Sequence, residues 1–318
     1  IFNSALYQIK IITMDKALLV GINKYADAPL RGCINDITDM AEHLIAHCNF
    51  KDGNIRLLAD QRATKSNIIE RLKWLITGAR KGDRLFFQYS GHGTQLATRD
   101  NIGEVDGLDE AIVPYNFDWE DIETFITDNE FNNLFKQIPE GVQFVWVSDS
   151  CHSGGLTRQL FKRSFNPGAS DIVSRFLIPP ADINWRVRSA NNAQITSRAF
   201  LKPVTQINVG LISGCKSNQT SADTYFDGKY NGALTYYLLQ VLEQEKTHKK
   251  SIKTIVAEVN KKLVENNFSQ QPQTEGNTSI LNQAFLISGS QRKKPSKKPA
   301  KKPIGGKKTL PSKSKLAH

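Results

Sequence analysis

The chain has 318 residues, 39% of them hydrophobic and 23% charged, which is enough to bury one large core, and its formal net charge is +11. That excess is local: residues 291–318 hold eleven of the 42 Lys and Arg and none of the 31 acids, so the remaining body is neutral, which argues against a basic nucleic-acid-binding surface. Four widely spaced cysteines exclude a dense disulfide framework and fit a reducing cytoplasm, and no stretch approaches the roughly 20 apolar residues that span a bilayer.

Residues 1–14 carry no basic n-region and no small-residue cleavage site, so they read as an N-terminal extension rather than a signal peptide. A first strand follows in Lys16-Ala17-Leu18-Leu19-Val20-Gly21-Ile22. Ile37, Met40, Ala41, Leu44 and Ile45 recur at helical spacing and predict a helix over 35–48, ahead of a second strand at 54–58. Thr64 is placed to cap a helix whose apolar face is Ile68, Ile69, Leu72, Leu75 and Ile76. Leu85-Phe86-Phe87-Gln88-Tyr89 is a buried third strand ending in Ser90-Gly91-His92-Gly93. A polar loop then leads to a short strand at 111–114, and Thr127 with Glu130 fits a capping box for a helix to residue 137. The fourth strand, 142–149, ends in Ser150-Cys151-His152-Ser153-Gly154.

Regularity fails from 156 to 208, an Arg-, Ser-, Asn- and Pro-rich stretch of the length that marks a functional or disordered loop. It resumes with a strand at 209–213, helices at 233–243 and 252–266, and a final strand near 280–287. Alternating strands and helices predict an α/β fold with a mostly parallel central sheet between helical layers. The Lys-Lys-Pro repeats of 290–318 form a basic tail without core-forming residues, expected to be disordered, open to non-specific contact with an anionic partner or to a solubilising role.

Two of these strands deliver reactive side chains to the sheet's carboxyl edge, where α/β proteins place their sites. A histidine and a cysteine brought together there suit thiolate catalysis, the imidazole taking the thiol proton and the sulfur attacking a carbonyl. His92 lies 59 residues upstream of Cys151, close to the spacing of about 50 known for caspases. The caspase signature Gln-Ala-Cys is absent. Instead, Tyr89-Ser90-Gly91-His92-Gly93-Thr94 and Asp149-Ser150-Cys151-His152-Ser153-Gly154 resemble the metacaspase and orthocaspase branch of the caspase-like cysteine peptidases.

The resemblance covers residues 16–288 and implies a caspase-like α-β-α sandwich in which two halves share one sheet. The large half is 15–157, a flexible Arg-rich linker 158–206, and the small half 207–289. It implies that Cys151 is the nucleophile, His92 its proton-transfer partner, and the backbone N–H groups of Gly93 and Cys151 the oxyanion donors. His152 adjoins the nucleophile and is expected to point away from it. Asp149 lies two residues before Cys151, on the same face of a strand, and Gly32-Cys33-Ile34-Asn35-Asp36 matches the family's Gly-Cys-x-Asn-Asp motif. Asp36 and Asp149, with Cys33 and Ser90, are therefore expected to line a primary pocket for Arg or Lys. Asp36 also fits a helix N-cap, and both roles are compatible.

Such a pocket beside an Arg-rich linker predicts self-cleavage after Arg158, Lys162, Arg163, Arg175, Arg186, Arg188, Arg198 or Lys202. No cofactor is required by this chemistry. Family relatives often depend on calcium, and Glu104, Asp106, Asp109, Glu110 and Asp128 offer hard oxygen donors, but Asn129 and Arg158 depart from the expected ligands and no metal ligand is assigned. The resemblance implies a monomer acting on protein or peptide substrates, away from membranes. The competing readings are an inactive scaffold of the same fold that binds basic peptides, and a nucleic-acid-associated regulator working through the tail.

Overall fold

The computed structural model describes residues 13–97, 108–151, 172–183, 207–216, 219–244 and 247–287. Its elements in chain order are β1 (Asp15–Gly21), α1 (Cys33–Cys48), β2 (Ile55–Ala59), α2 (Lys65–Ile76), β3 (Arg84–Ser90), β4 (Gly93–Ala97), β5 (Leu108–Ile112), β6 (Ile126–Thr127), α3 (Asp128–Phe135) and β7 (Gln143–Asp149). They continue with β8 (Val173–Ser174), β9 (Gly210–Ser213), β10 (Ala222–Phe226), β11 (Lys229–Gly232), α4 (Ala233–Leu242), α5 (Ile252–Glu265), β12 (Gln273–Gly276) and α6 (Thr278–Leu281).

Six strands form the central sheet in the order β12-β9-β7-β3-β1-β2, all parallel except the antiparallel edge strand β12. The mostly parallel central sheet expected from the sequence is present. Strands β3 and β7 are buried along their whole lengths because both sheet faces are covered. Side chains alternate between two cores: Leu18, Val20, Phe87 and Trp146 pack against α2 and α3, while Leu19, Phe86, Val145 and Val147 pack against α1, α4 and α5. The expected caps are in place. Thr64 accepts from the Asn67 N–H at 3.3 Å, and Thr127 and Glu130 close a full capping box.

Three expectations are corrected. The strand placed at 111–114 is β5, at Leu108–Ile112, and it pairs with β4 and β6 in a small antiparallel sheet inside the stretch read as loop. The final strand is not 280–287 but β12, whose half-exposed sequence Gln-Thr-Glu-Gly carries no apolar signal because it is an edge. Residues 278–281 instead form a helical turn, started by the Asn277 side chain accepting from Ser279 N–H at 2.8 Å. The hairpin β10–β11 was not read from the sequence. Its turn places Asp227 and Gly228 at φ of 42° and 97°, the left-handed pair that an Asp-Gly sequence favours.

Within 158–206, residues 172–183 are described. Strand β8 pairs antiparallel with β10 through Ser174 opposite Ala222 and Val173 opposite Asp223. The Met14 N–H donates to Asp83 at 2.8 Å. The tail, 290–318, lies outside the described residues.

Candidate active site

Parallel pairing in register brings the carboxyl ends of β1, β3 and β7 together, with Gly21 opposite Ser90 and Ser90 opposite Asp149. His92 and Cys151 leave the ends of the two central strands, and both are buried. The His92 ring packs on Tyr25 at 4.6 Å between centroids, and the His92 backbone N–H donates to the Tyr25 hydroxyl at 3.1 Å. Its Nε2 lies 2.7 Å from the Ala28 carbonyl. A carbonyl only accepts, so Nε2 carries the proton and Nδ1, which makes no hydrogen bond, carries the free lone pair. Burial pulls the imidazole down to about 4, with the Ala28 carbonyl opposing, so at neutral pH the ring is neutral and able to take a proton.

The Cys151 sulfur accepts from the Ser221 N–H and lies 2.8 Å from the sulfur of Cys215. Burial, with the neighbouring Cys151 second, pushes the Cys215 thiol well above its ordinary range, so Cys215 keeps its proton. Cys215 was not singled out in the sequence, where it is only a cysteine at the end of a short apolar strand.

Between the two residues lies the chain's own Arg175. Its carbonyl accepts from the N–H of Gly93 at 3.0 Å and of Cys151 at 3.3 Å, the two groups expected to form an oxyanion hole. Its guanidinium is fully buried, 2.7 Å from Asp36, 3.2 Å from Asp149 and 3.4 Å from Asp223. Burial works against the charge, yet Asp149, Cys33, Asp36 and Asp223 outweigh it and hold Arg175 well above its ordinary range.

The acids are themselves held in place. Asp36 accepts from the Gly232 N–H at 2.9 Å and the Asn231 amide at 3.1 Å, and Asp149 from the N–H and hydroxyl of Thr235 at 2.9 and 2.8 Å. Asp223 accepts from the Arg31 N–H at 2.7 Å. Burial raises Asp36 to about 7, with Arg175 opposing and Asp149 adding to the rise.

The expected pocket residues Asp36 and Asp149 are thus brought together on one guanidinium. Cys33 is buried at the start of α1, close enough that the Arg175 charge acts on its thiol, which burial raises well above its ordinary range. Ser90 is buried beside Asp149 in the register and accepts from the Gln88 amide at 3.2 Å. Asp223 is the carboxylate that sequence reasoning missed. Its signal was the Asp227-Gly228 turn, which fixes a hairpin and places Asp223 opposite Gly232.

His152 and the candidate self-cleavage residues other than Arg175 lie outside the described residues, as do Glu104, Asp106 and Arg158. Among the described residues no group of three or more His, Cys, Asp or Glu is arranged to hold a metal ion. Asp109 accepts from the Asn129 amide at 3.1 Å.

A family model for the metacaspase peptidase C14 domain matches residues 15–158. A metacaspase-1 of Candida glabrata is 31% identical over 301 residues, covering 86% of this chain and 75% of that protein. A metacaspase-1 of Schizosaccharomyces pombe is 33% identical over 292 residues, covering 81% of this chain and 66% of that protein. The chain therefore spans three quarters of the first of these relatives and just under two thirds of the second. A crystal structure of a Geobacter sulfurreducens protein superposes with a TM-score of 0.61 at 24% identity, over 86% of this chain and 98% of that one, a likeness of fold.

Proposed function

This chain belongs to the metacaspase family of caspase-like cysteine peptidases, and from that premise we propose that it hydrolyses the peptide bond after arginine, using Cys151 and His92. The observation that supports this reading most is Arg175 lying across the site as a substrate residue would, carbonyl on the Gly93 and Cys151 N–H groups and guanidinium among three acids. In the proposed reaction His92 takes the Cys151 proton and the sulfur adds to the carbonyl carbon. The oxyanion rests on the two N–H groups, and His92 returns the proton to the departing amine. Water, deprotonated by the same histidine, then splits the thioester and frees Cys151. No step needs a metal or cofactor.

Arginine is preferred over lysine, because a planar fork meets several carboxylates at once whereas an ammonium is a point charge. An aspartate in the same place would set a fourth carboxylate against Asp36, Asp149 and Asp223 and is excluded. We assign Arg175–Phe176 as the bond the chain presents to itself for autoprocessing. The unpaired cysteines are consistent with a reducing cytoplasm. The protein is proposed to act as a monomer on protein or peptide substrates. No helix among the described residues is long and apolar enough to cross a membrane.

The test is mass spectrometry of the purified chain beside Cys151→Ala and His92→Ala, with hydrolysis of Arg, Lys and Asp coumarin peptides. The expected result is a cut between Arg175 and Phe176 in the wild type alone, and turnover of the Arg peptide lost in both variants while their circular dichroism is unchanged. Identical fragments from wild type and Cys151→Ala would leave the inactive scaffold, with Arg175 as a permanent plug, as the correct reading.

A further inference from the structure

The chain's own backbone is gripped on both sides of the Arg175 carbonyl. Upstream, β8 pairs with β10, and the Arg175 N–H donates to the Ser221 carbonyl at 3.0 Å. Downstream, Phe176 bridges Gly93 in the parallel sense and the Leu177 N–H donates to the Gly93 carbonyl at 2.9 Å. The Thr94 hydroxyl donates to the Leu177 carbonyl, also at 2.9 Å. An extended segment held this way is bound as an added strand, whose main chain supplies affinity while its side chains carry the selectivity.

Those side chains are unequal along the segment. Ile172 is 40% exposed and Ile178 is 52% exposed, whereas Phe176 and Leu177 are 8% and 9% exposed. Leu177 joins the core that contains Leu96 and Ile112. The continuous buried stretch is thus one basic residue followed by two apolar ones; it is interrupted at the exposed Ile178, and Pro179 is buried beyond it.

We propose that the site selects two apolar side chains after the cut, so that its preferred substrates are extended peptides in which Arg is followed by an aromatic and then an aliphatic residue. This deepens the proposed function and rests on Arg175 marking the residue before the cut. The bond broken and the proton balance are those given above; only the side chains flanking the leaving amine are added. A carboxylate in place of Leu177 would lose its water for an apolar core without gaining a partner, and one in place of Phe176 would be buried as that ring is. Glycine would keep the main-chain bonds and lose the apolar contact.

The experiment uses the full chain and four peptides. One is Ile-Val-Ser-Arg joined to a coumarin, which has no residues after the cut. The other three are internally quenched peptides with Ile-Val-Ser-Arg followed by Phe-Leu, Gly-Gly or Asp-Asp. All compete with the same self-segment, so the ratios of their kcat/KM do not depend on how much of the site it occupies. The expected order is Phe-Leu above Gly-Gly by at least about tenfold, and above Asp-Asp by about a hundredfold or more. Hydrolysis of the coumarin peptide with the three quenched peptides within twofold of one another would overturn the downstream selectivity and leave cleavage after Arg intact. No turnover of any of the four would remove the premise, and the inference with it.

Discussion

At the scale of single residues, Arg175 is the fulcrum. Three buried carboxylates surround one guanidinium, so the pocket holds more negative than positive charge. The excess is relieved at Asp36, which burial raises to about 7. Removing the cation strands three buried acids without their counter-charge. Arg175→Gln in the Cys151→Ala background, where the chain stays intact, is therefore expected to lose about 3–5 kcal/mol of stability. Arg175→Lys keeps the charge but loses the fork and is expected to fall between the two. Urea denaturation reads both, and an unchanged midpoint for the Gln variant would mean that the acids do not depend on Arg175. The same logic makes Asp223 a pocket residue: Asp223→Asn is expected to lower kcat/KM for Arg peptides by about tenfold or more through loss of a charge-assisted bond. A matched Arg and Lys peptide pair would check it, since an equal fall for an apolar control would assign Asp223 a general structural role.

At the scale of elements, the pocket depends on how closely the β11–α4 junction approaches the end of β7. Gly232 has an ordinary extended backbone, φ −72° and ψ 136°, so its lack of a side chain is not about conformation. It is about space. A Cβ there would fall on the Asp149 carboxylate and the Arg175 guanidinium, while the Gly232 N–H donates to Asp36 at 2.9 Å. Gly232→Ala is expected to displace Asp149 and cut kcat/KM for Arg peptides by about a hundredfold, the usual cost of a misplacement near 1 Å. Its far-ultraviolet circular dichroism should match the wild type. Full activity in the alanine variant would place the bound arginine elsewhere.

At the scale of the whole molecule, buried titratable groups set the response to pH. Burial lowers His92 and His43 from 6.5 to about 4, with His47 adding to the effect on His43. A histidine lowered in the fold contributes stability that is present above 6.5 and is lost as pH falls through 4, because the unfolded chain binds the proton first. Asp36 runs the other way: raised from 3.8 to about 7, its contribution is full below 3.8 and lost as pH rises through 7. Two histidines act against one aspartate, so the histidines prevail. Stability is expected to fall by a few kcal/mol between pH 6.5 and pH 4. Urea midpoints at pH 7, 5.5 and 4.5 measure this, and His43→Leu, which removes one of the two histidines lowered by the fold, should flatten the curve. A midpoint that rises on acidification would show Asp36 to dominate.

Much of the architecture was legible in the sequence because its signals are local. Apolar runs such as 85–89 and 142–149 can only be strands covered on both faces, and Thr127 with Glu130 announces a helix start from four residues alone. The two motifs placed His92, Gly93 and Cys151 at strand ends, and in the structure Asp36 and Asp149 meet on the Arg175 guanidinium. The polar edge strand β12 escaped notice, since an edge needs no apolar period. Other features depended on chain segments far apart in sequence. Asp223 reaches the pocket only through a hairpin, Cys215 meets Cys151 across 64 positions, and Arg175 reaches Asp36 across 139. Nothing in the linker's composition separates Arg175 from its other basic residues. Its role follows from the pairing of β8 with β10, which sets its carbonyl between two N–H groups and its guanidinium among three acids, and such pairing is decided by the folded sheet rather than by any local run of residues.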